Sequence, residues 1–130
     1  MGIRVGLPEG RTEHELARTI AALANSGGGE VVLRGDPERA AQEIAEAVET
    51  VVPVPVVRTG PIDAAGRMVR RSLVIRPPEI VARAGKEGVV LTVTPGDSLC
   101  TVGGTAYAFE EGEVRPLSIA EVVKRLGSGG

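Results

Sequence analysis

The segment between residues 12 and 33 constrains the fold of this chain more than any other part of its sequence. Apolar residues recur at helical spacing over Leu16–Ala24, three glycines follow, and Val31–Leu33 is wholly apolar. Thr12 followed by Glu15 predicts a capping box at the start of the helix. The glycines predict its end, and the apolar run predicts a central strand that is buried on both faces. The segment therefore indicates a domain that combines helices with a sheet.

The rest of the chain has further helix and strand signals. Asp36 before Pro37 predicts the start of a second helix, with Val51 among its inward residues and Glu43 in water beside Arg39. A capping box formed by Ser118 and Glu121 predicts the last helix, and the remaining apolar segments predict the strands 3–7, 54–59, 67–76, 80–83, 89–94, 99–102 and 105–109. We expect a single α+β domain with a mixed β-sheet and about three helices over residues 1–126, and a flexible tail over 127–130.

Composition limits both the core and the compartment. Aromatic residues are only 2% of the chain, so Val, Leu, Ile and Ala must form the core, and stacking of bases on aromatic rings is nearly excluded. Cys100 is the single cysteine, which rules out an internal disulfide. The sequence has no apolar run long enough for a membrane span and no signal-peptide pattern at its start. We expect a soluble, cytoplasmic protein without a membrane partner.

The candidate chemical groups have simpler structural interpretations. The glycine triplet follows a helix, whereas a phosphate-binding loop precedes one, so the triplet is interpreted as a helix cap that packs closely. His14 stands without the further His or Cys ligands that a metal site needs, and is predicted to lie at the surface. The apolar flanks of Cys100 predict a buried strand residue. We expect no catalytic residue, no metal and no cofactor.

Charge is distributed unevenly along the chain. The whole chain carries −2, but residues 54–86 contain seven basic and two acidic residues. Alternation along the predicted strand 67–76 places several arginines on one face, and guanidinium groups match phosphate in a bidentate way. These charges could instead pair with the acidic second helix or only solubilise the sheet. The predicted phosphate contacts are Arg58, Arg67, Arg70, Arg71, Arg76 and Lys86.

One stretch of the chain resembles a known family. A helix ends in Ala24-Asn25-Ser26-Gly27-Gly28, and the apolar strand that follows ends in Gly35 and Asp36. This arrangement resembles the Schlafen-type AlbA domain, a family of DNA-binding modules. The order of the later segments is similar over residues 11–126: a proline-rich break at 52–55, strands at 89–95 and 105–109, and Arg115-Pro116-Leu117-Ser118 before the last helix. The resemblance implies nucleic-acid binding by an α+β domain.

The sequence departs from the family pattern at two points, one that concerns catalysis and one that concerns DNA recognition. In the branch that cleaves RNA, acids on the first strand join an acid that corresponds to Asp36, but Glu9 is the only acid here before the first helix. Family members also often continue into a helix-turn-helix region, which this sequence lacks. The resemblance therefore implies binding rather than catalysis.

Three functional hypotheses follow. The first is a non-enzymatic module that binds DNA or RNA through the basic residues of 54–86. The second is a homodimeric scaffold or interaction domain without nucleic-acid binding, because a small domain gains stability by burying further surface. The third, the least favoured, is a metal-dependent ribonuclease that uses Asp36.

Overall fold

The computed structural model describes residues 3–59 and 76–128 and has an α+β fold. Its helices are α1 (Glu13–Asn25), α2 (Pro37–Val48) and α3 (Ile119–Ser128). Its strands are β1 (Ile3–Leu7), β2 (Gly29–Arg34), β3 (Val51–Val52), β4 (Val56–Thr59), β5 (Glu79–Ala84), β6 (Gly88–Thr94), β7 (Thr101–Val102), β8 (Thr105–Glu110) and β9 (Glu113–Pro116). The predicted fold class is confirmed.

The strands form two sheets. The larger sheet has the order β1-β2-β6-β5-β4, in which β1 pairs with β2 and β4 with β5 in parallel, while β6 is antiparallel to both of its neighbours. The smaller sheet has the order β3-β7-β8-β9 and is antiparallel. The two predicted hairpins, β5–β6 and β7–β8, are both present. The larger sheet is therefore mixed, as predicted.

Helix α1 lies between the two sheets and also contacts α2. Its apolar stripe was expected on one face only, yet Ala17, Ala21 and Ala22 are as completely buried as Leu16 and Ile20. Alanine has the smallest side chain that favours a helix, so these positions let neighbouring elements approach α1 closely. The helix is buried on nearly every side because a second sheet covers the face opposite the first.

The strand predicted to be buried on both faces is β2. Val31 and Leu33 contact the helices, and Val32, which points to the other side of the sheet, is also buried. Val31 and Leu33 join Leu7, Ile80, Leu91 and Val93 from the neighbouring strands in the main core. Burial of an aliphatic side chain of this kind contributes about 1.5–3 kcal/mol.

The end of α2 differs from the prediction. Val51 was expected on the inward face of the helix, but α2 ends at Val48 and Val51 begins β3. The backbone N–H and the side-chain hydroxyl of Thr50 both donate to the carbonyl of Ala47, at 3.1 and 2.8 Å. These bonds close the last turn of the helix. Val51 is still fully buried, but it reaches the core from a strand.

A buried ion pair joins the start of α1 to α2. Arg11 Nη2 lies 2.9 Å from Glu43 Oε1, and Arg11 Nη1 donates to the carbonyls of Pro8 and Arg34 at 2.9 and 2.6 Å. Only 2% of the Arg11 side chain is exposed. The expectation that Glu43 faces water beside Arg39 is therefore wrong, because Glu43 is partly buried by this contact.

The C-terminal helix has little contact with the rest of the fold. Val122 packs beside the small cluster of Ala106, Ala108 and Leu117, whereas Ile119 is 85% exposed. Helix α3 extends to Ser128, two residues into the segment predicted as a tail. None of the helices in the described ranges is long and apolar enough to cross a membrane.

Candidate nucleic-acid interface

The larger sheet has two different faces. Helices α1 and α2 cover the inner face, which carries the core residues. On the other face, here called the outer face, side chains from all five strands share one row across the sheet: Arg4, Glu30, Thr92, Val81 and Arg58. The next row contains Gly6, Val32, Val90 and Arg83. The outer face therefore combines arginines, carboxylates and a strip of valines.

The structure describes three of the six predicted phosphate contacts. Arg58 lies on the outer face, Arg76 lies in the segment before β5, and Lys86 lies in the turn between β5 and β6. Arg76 and Lys86 therefore flank β5 at its opposite ends. Arg67, Arg70 and Arg71, together with most of the strand predicted over 67–76, fall outside the described residues; Arg76 itself is not in a strand.

Arg58 is held by an acid on the neighbouring strand. Its Nη2 lies 3.3 Å from Glu79 Oε1, and the two side chains are only 16% and 13% exposed. A guanidinium that is already paired and mostly buried has little surface to offer a ligand. Within the described part of the face, Arg58 therefore serves the packing of β4 against β5 more than binding.

Arg76 and Asp97 hold each other through backbone and side chain. The Arg76 N–H donates to Asp97 Oδ2 at 3.0 Å, and Arg76 Nε lies 3.4 Å from Asp97 Oδ1. The Asp97 N–H in turn donates to the carbonyl of Arg76 at 2.8 Å. The backbone hydrogen bond from Arg76 is the largest effect on the pKa of Asp97 and lowers it. The charge of Arg76 lowers the pKa further, and together these effects outweigh the opposing loss of hydration.

Three further arginines, which the predicted contacts did not include, lie on or beside the outer face. Arg4 comes from β1, Arg34 from the end of β2, and Arg83 from β5. Arg4 stands between two apolar residues in β1, and because side chains alternate along a strand, this pattern indicates that Arg4 points outward. Arg83 belonged to the basic block and to the strand predicted over 80–83, but it was not among the predicted phosphate contacts. Only the sheet order, which places β1 and β5 on opposite sides of β2 and β6, brings these residues together.

Glu30 bridges two of these arginines. Its Oε1 lies 3.2 Å from Arg4 Nη1, and its Oε2 lies 3.0 Å from Arg83 Nη2. Arg4 and Glu30 are neighbours on adjacent parallel strands, whereas Arg83 reaches across β6 to the same carboxylate. Arg4 and Arg83 remain 65% and 52% exposed. Both guanidiniums therefore keep N–H groups that are accessible from solvent.

An open cavity of about 680 Å³ lies at this part of the outer face. Arg4, Arg83 and Lys86 line it, and Val32 and Val90 supply its apolar part. Lys86 is exposed and forms no ion pair with an acid in the described ranges. Glu87 also lines the cavity, and its Oε2 lies 3.6 Å from Nε of Arg34; both side chains are exposed. Basic groups around a shallow apolar surface suit an anionic ligand that also has an apolar portion.

The segment that carries the family resemblance has a structural role. Asn25 Nδ2 donates to the carbonyls of Cys100 and Tyr107 at 2.9 and 2.7 Å, and Asn25 Oδ1 accepts from the Cys100 N–H at 2.7 Å. Ser26 Oγ accepts from the Phe109 N–H at 3.0 Å. These bonds fasten the end of α1 to the smaller sheet.

The glycines of this segment allow a close approach. Gly27 and Gly28 have φ angles of +91° and +94°, and the Gly28 N–H donates to the carbonyl of Leu23 at 2.7 Å. A Cβ at Gly28 would lie 2.7 Å from the carbonyl oxygen of Val93. The interpretation of the glycines as a helix cap with close packing is confirmed, because the Gly28 N–H caps α1 and the main chain of β6 passes directly beside Gly28.

His14, Cys100 and Asp36 were the remaining candidates for a chemical role, and the structure shows where each of them lies. His14 is exposed, as predicted. Cys100 is fully buried, as predicted, but it lies one residue before β7 rather than in a strand. Burial raises the pKa of its thiol to about 11. Asp36 stands at the N-cap of α2, but its side chain makes no capping hydrogen bond. In residues 3–59 and 76–128, no three His, Cys, Asp or Glu side chains converge as a metal site would require.

Comparison with protein-family models, with curated proteins and with solved structures finds no match for this chain.

Proposed function

We propose that this protein is a non-enzymatic module that binds DNA or RNA through the outer face of its larger sheet. The observation that carries the proposal is the grouping of Arg4, Arg83 and Lys86 around one open cavity. Phosphate is the anion that these groups suit, because guanidinium donates two parallel hydrogen bonds to it. The resemblance of residues 11–126 to the Schlafen-type AlbA domain supports the same class of ligand.

The ion pairs on this face, and the Arg76–Asp97 pair in the segment before β5, are compatible with binding. The pairs that involve Arg4, Arg34, Arg76 and Arg83 are all exposed on the arginine side. Exposed pairs contribute about 0–1 kcal/mol, so phosphate groups can replace these acids at small cost. The proposed contacts in the described part of the chain are therefore Arg4, Arg34, Arg76, Arg83 and Lys86. Arg67, Arg70 and Arg71 remain predicted contacts from the sequence alone.

Binding through this face is expected to be electrostatic and weakly selective for sequence. Tyr107 and Phe109, the two aromatic residues of the chain, both lie on β8 in the other sheet. The outer face therefore has no ring on which a base could stack. Contacts to phosphate position a nucleic acid but do not read its bases.

A salt titration of two charge-matched variants tests the proposal. The log of the affinity for a DNA duplex should fall with the log of salt concentration by about 0.9 for each phosphate contacted. The double variant R4A/R83A should reduce this slope by about 1–2. The control R39A/R115A removes two exposed arginines from α2 and β9 and should leave the slope unchanged. Absence of DNA and RNA binding at about 50 mM salt would overturn the proposal.

A second candidate, a homodimeric interaction domain, is favoured by the apolar surface of α3. Ile119 and Val123 lie one turn apart on this helix and are 85% and 62% exposed. A second copy of the chain could cover them in an isologous contact, which is the commonest arrangement of homodimers. Light scattering of the protein and of I119S/V123S tests it: a dimer that the substitutions dissociate supports this function, and a strict monomer excludes it.

A further inference from the structure

Glu30 occupies a place between two guanidiniums that a phosphate group could also fill. Each of its oxygens contacts a different arginine, Oε1 with Arg4 at 3.2 Å and Oε2 with Arg83 at 3.0 Å. A phosphate presents pairs of oxygens in a similar way, and arginine binds carboxylate and phosphate with the same donor geometry. The carboxylate is 30% exposed, and Arg4 and Arg83, which hold it, both line the adjoining cavity.

The arrangement keeps the two arginines near each other without a ligand. Arg4 and Arg83 come from strands that β2 and β6 separate, and their mutual repulsion would favour other side-chain conformations. Glu30 compensates this repulsion from β2. An incoming anion therefore meets two guanidiniums that already point toward a common centre, which reduces the side-chain entropy lost on binding.

The charge of the incoming anion decides whether it can replace Glu30. An internal phosphodiester carries one negative charge, as the Glu30 carboxylate does, so the exchange gains little electrostatic energy. A terminal phosphate carries about −1.5 to −2 at neutral pH and has three oxygens that accept hydrogen bonds. The additional charge favours its contact with Arg4, Arg83 and Lys86 over the contact with the carboxylate.

We infer that Arg4, Arg83 and Lys86 form a site that prefers the terminal phosphate of a nucleic acid, and that Glu30 sets this preference over internal phosphodiesters, which the same arginines contact more weakly. The inference rests on the proposed function, since the end group belongs to the same ligand. It assigns to Glu30 a role in specificity: the carboxylate occupies the site in the unbound protein and admits the more highly charged group.

Two oligonucleotides of one sequence test the inference. Both are single-stranded and labelled at the 3′ end, and they differ in a 5′-phosphate or a 5′-hydroxyl. By fluorescence anisotropy, the wild-type protein should bind the phosphorylated strand about five-fold more tightly, the effect of roughly one additional ion pair. E30Q should bind the hydroxyl strand more tightly and lose most of this discrimination. The control E87Q, which removes a carboxylate that pairs with Arg34 nearby, should retain it.

Each other outcome has a distinct meaning. Equal affinity of the wild-type protein for the two strands would overturn the inference but leave the proposed function. Binding of neither strand would overturn both. An equal loss of discrimination in E30Q and E87Q would assign the effect to net charge and overturn the role of Glu30. Competition by inorganic phosphate at concentrations as low as those of the phosphorylated strand would identify free phosphate as the ligand, and would also overturn the inference.

Discussion

The side-chain amide of Asn25 pairs with the backbone of Cys100 as a neighbouring strand would. The amide donates from Nδ2 to the carbonyl of Cys100 at 2.9 Å and accepts on Oδ1 from the N–H of the same residue at 2.7 Å. Nδ2 also donates to the carbonyl of Tyr107 at 2.7 Å. Asn25 thereby joins the end of α1 to Cys100, the residue before β7, and to β8, and its surroundings require both a donor and an acceptor.

Replacement of Asn25 by aspartate should destabilise the protein strongly. The carboxylate has nearly the same shape but would place an oxygen against the carbonyls of Cys100 and Tyr107, which need a donor. We expect N25D to lower the free energy of unfolding by about 3 kcal/mol, and S26A, which removes one hydrogen bond to Phe109, by about 1 kcal/mol. Urea denaturation measures both values. Equal stability of N25D and the wild-type protein would contradict the structural role of Asn25.

The contact between Arg11 and Glu43 predicts a second large effect on stability. E43A would leave the guanidinium of Arg11 buried without its carboxylate, although the two carbonyl contacts remain. We expect a loss of about 3 kcal/mol in the free energy of unfolding. R39A tests the alternative pairing that helical spacing suggested, and should change stability by less than about 0.5 kcal/mol. A larger effect of R39A than of E43A would show that Glu43 pairs within its helix.

Glu13 should make stability fall as the pH rises. The pKa of Glu13 is raised above its usual 4.5. Loss of hydration has the largest effect, followed by the charge of Glu46, the hydrogen bond between Glu46 and Glu13, and the charge of Glu49. The folded protein therefore holds this proton more tightly than the unfolded chain, and the charged form costs stability above that pH range. We expect E13Q to raise the melting temperature at about pH 7 and to have little effect near pH 3. E110Q, the same charge change at an exposed position of β8, should not reproduce this pattern.

Asp97 should have the opposite dependence on pH. Its lowered pKa means that the ionised carboxylate stabilises the folded state above about pH 4, and that this contribution disappears as the pH falls through the lowered value. We expect D97N to reduce the melting temperature at neutral pH, and the difference from the wild-type protein to shrink toward about pH 2. A difference that does not change with pH would mean that Asp97 acts through its backbone contacts alone.

Local patterns predicted much of the secondary structure because their causes are local. The capping box of Ser118 and Glu121 is present, with reciprocal bonds of 3.2 Å, and Thr12 accepts from the Glu15 N–H at 3.1 Å. The glycines after α1 and the hairpins follow from backbone conformations that few other residues adopt. The helix spacing, by contrast, predicted a single apolar stripe on α1, because it contains no information about a second sheet on the opposite side.

The sequence alone determined that this chain forms an α+β domain with an aliphatic core, since periodicity, caps and composition act through neighbours a few residues apart. Only the tertiary structure decided the partners of its charges. Glu43 pairs with Arg11 rather than Arg39, and Glu30 lies between Arg4 and Arg83, which are 79 positions apart in the chain. Long side chains can reach many partners, and strand order, which depends on the packing of the whole domain, selects among them.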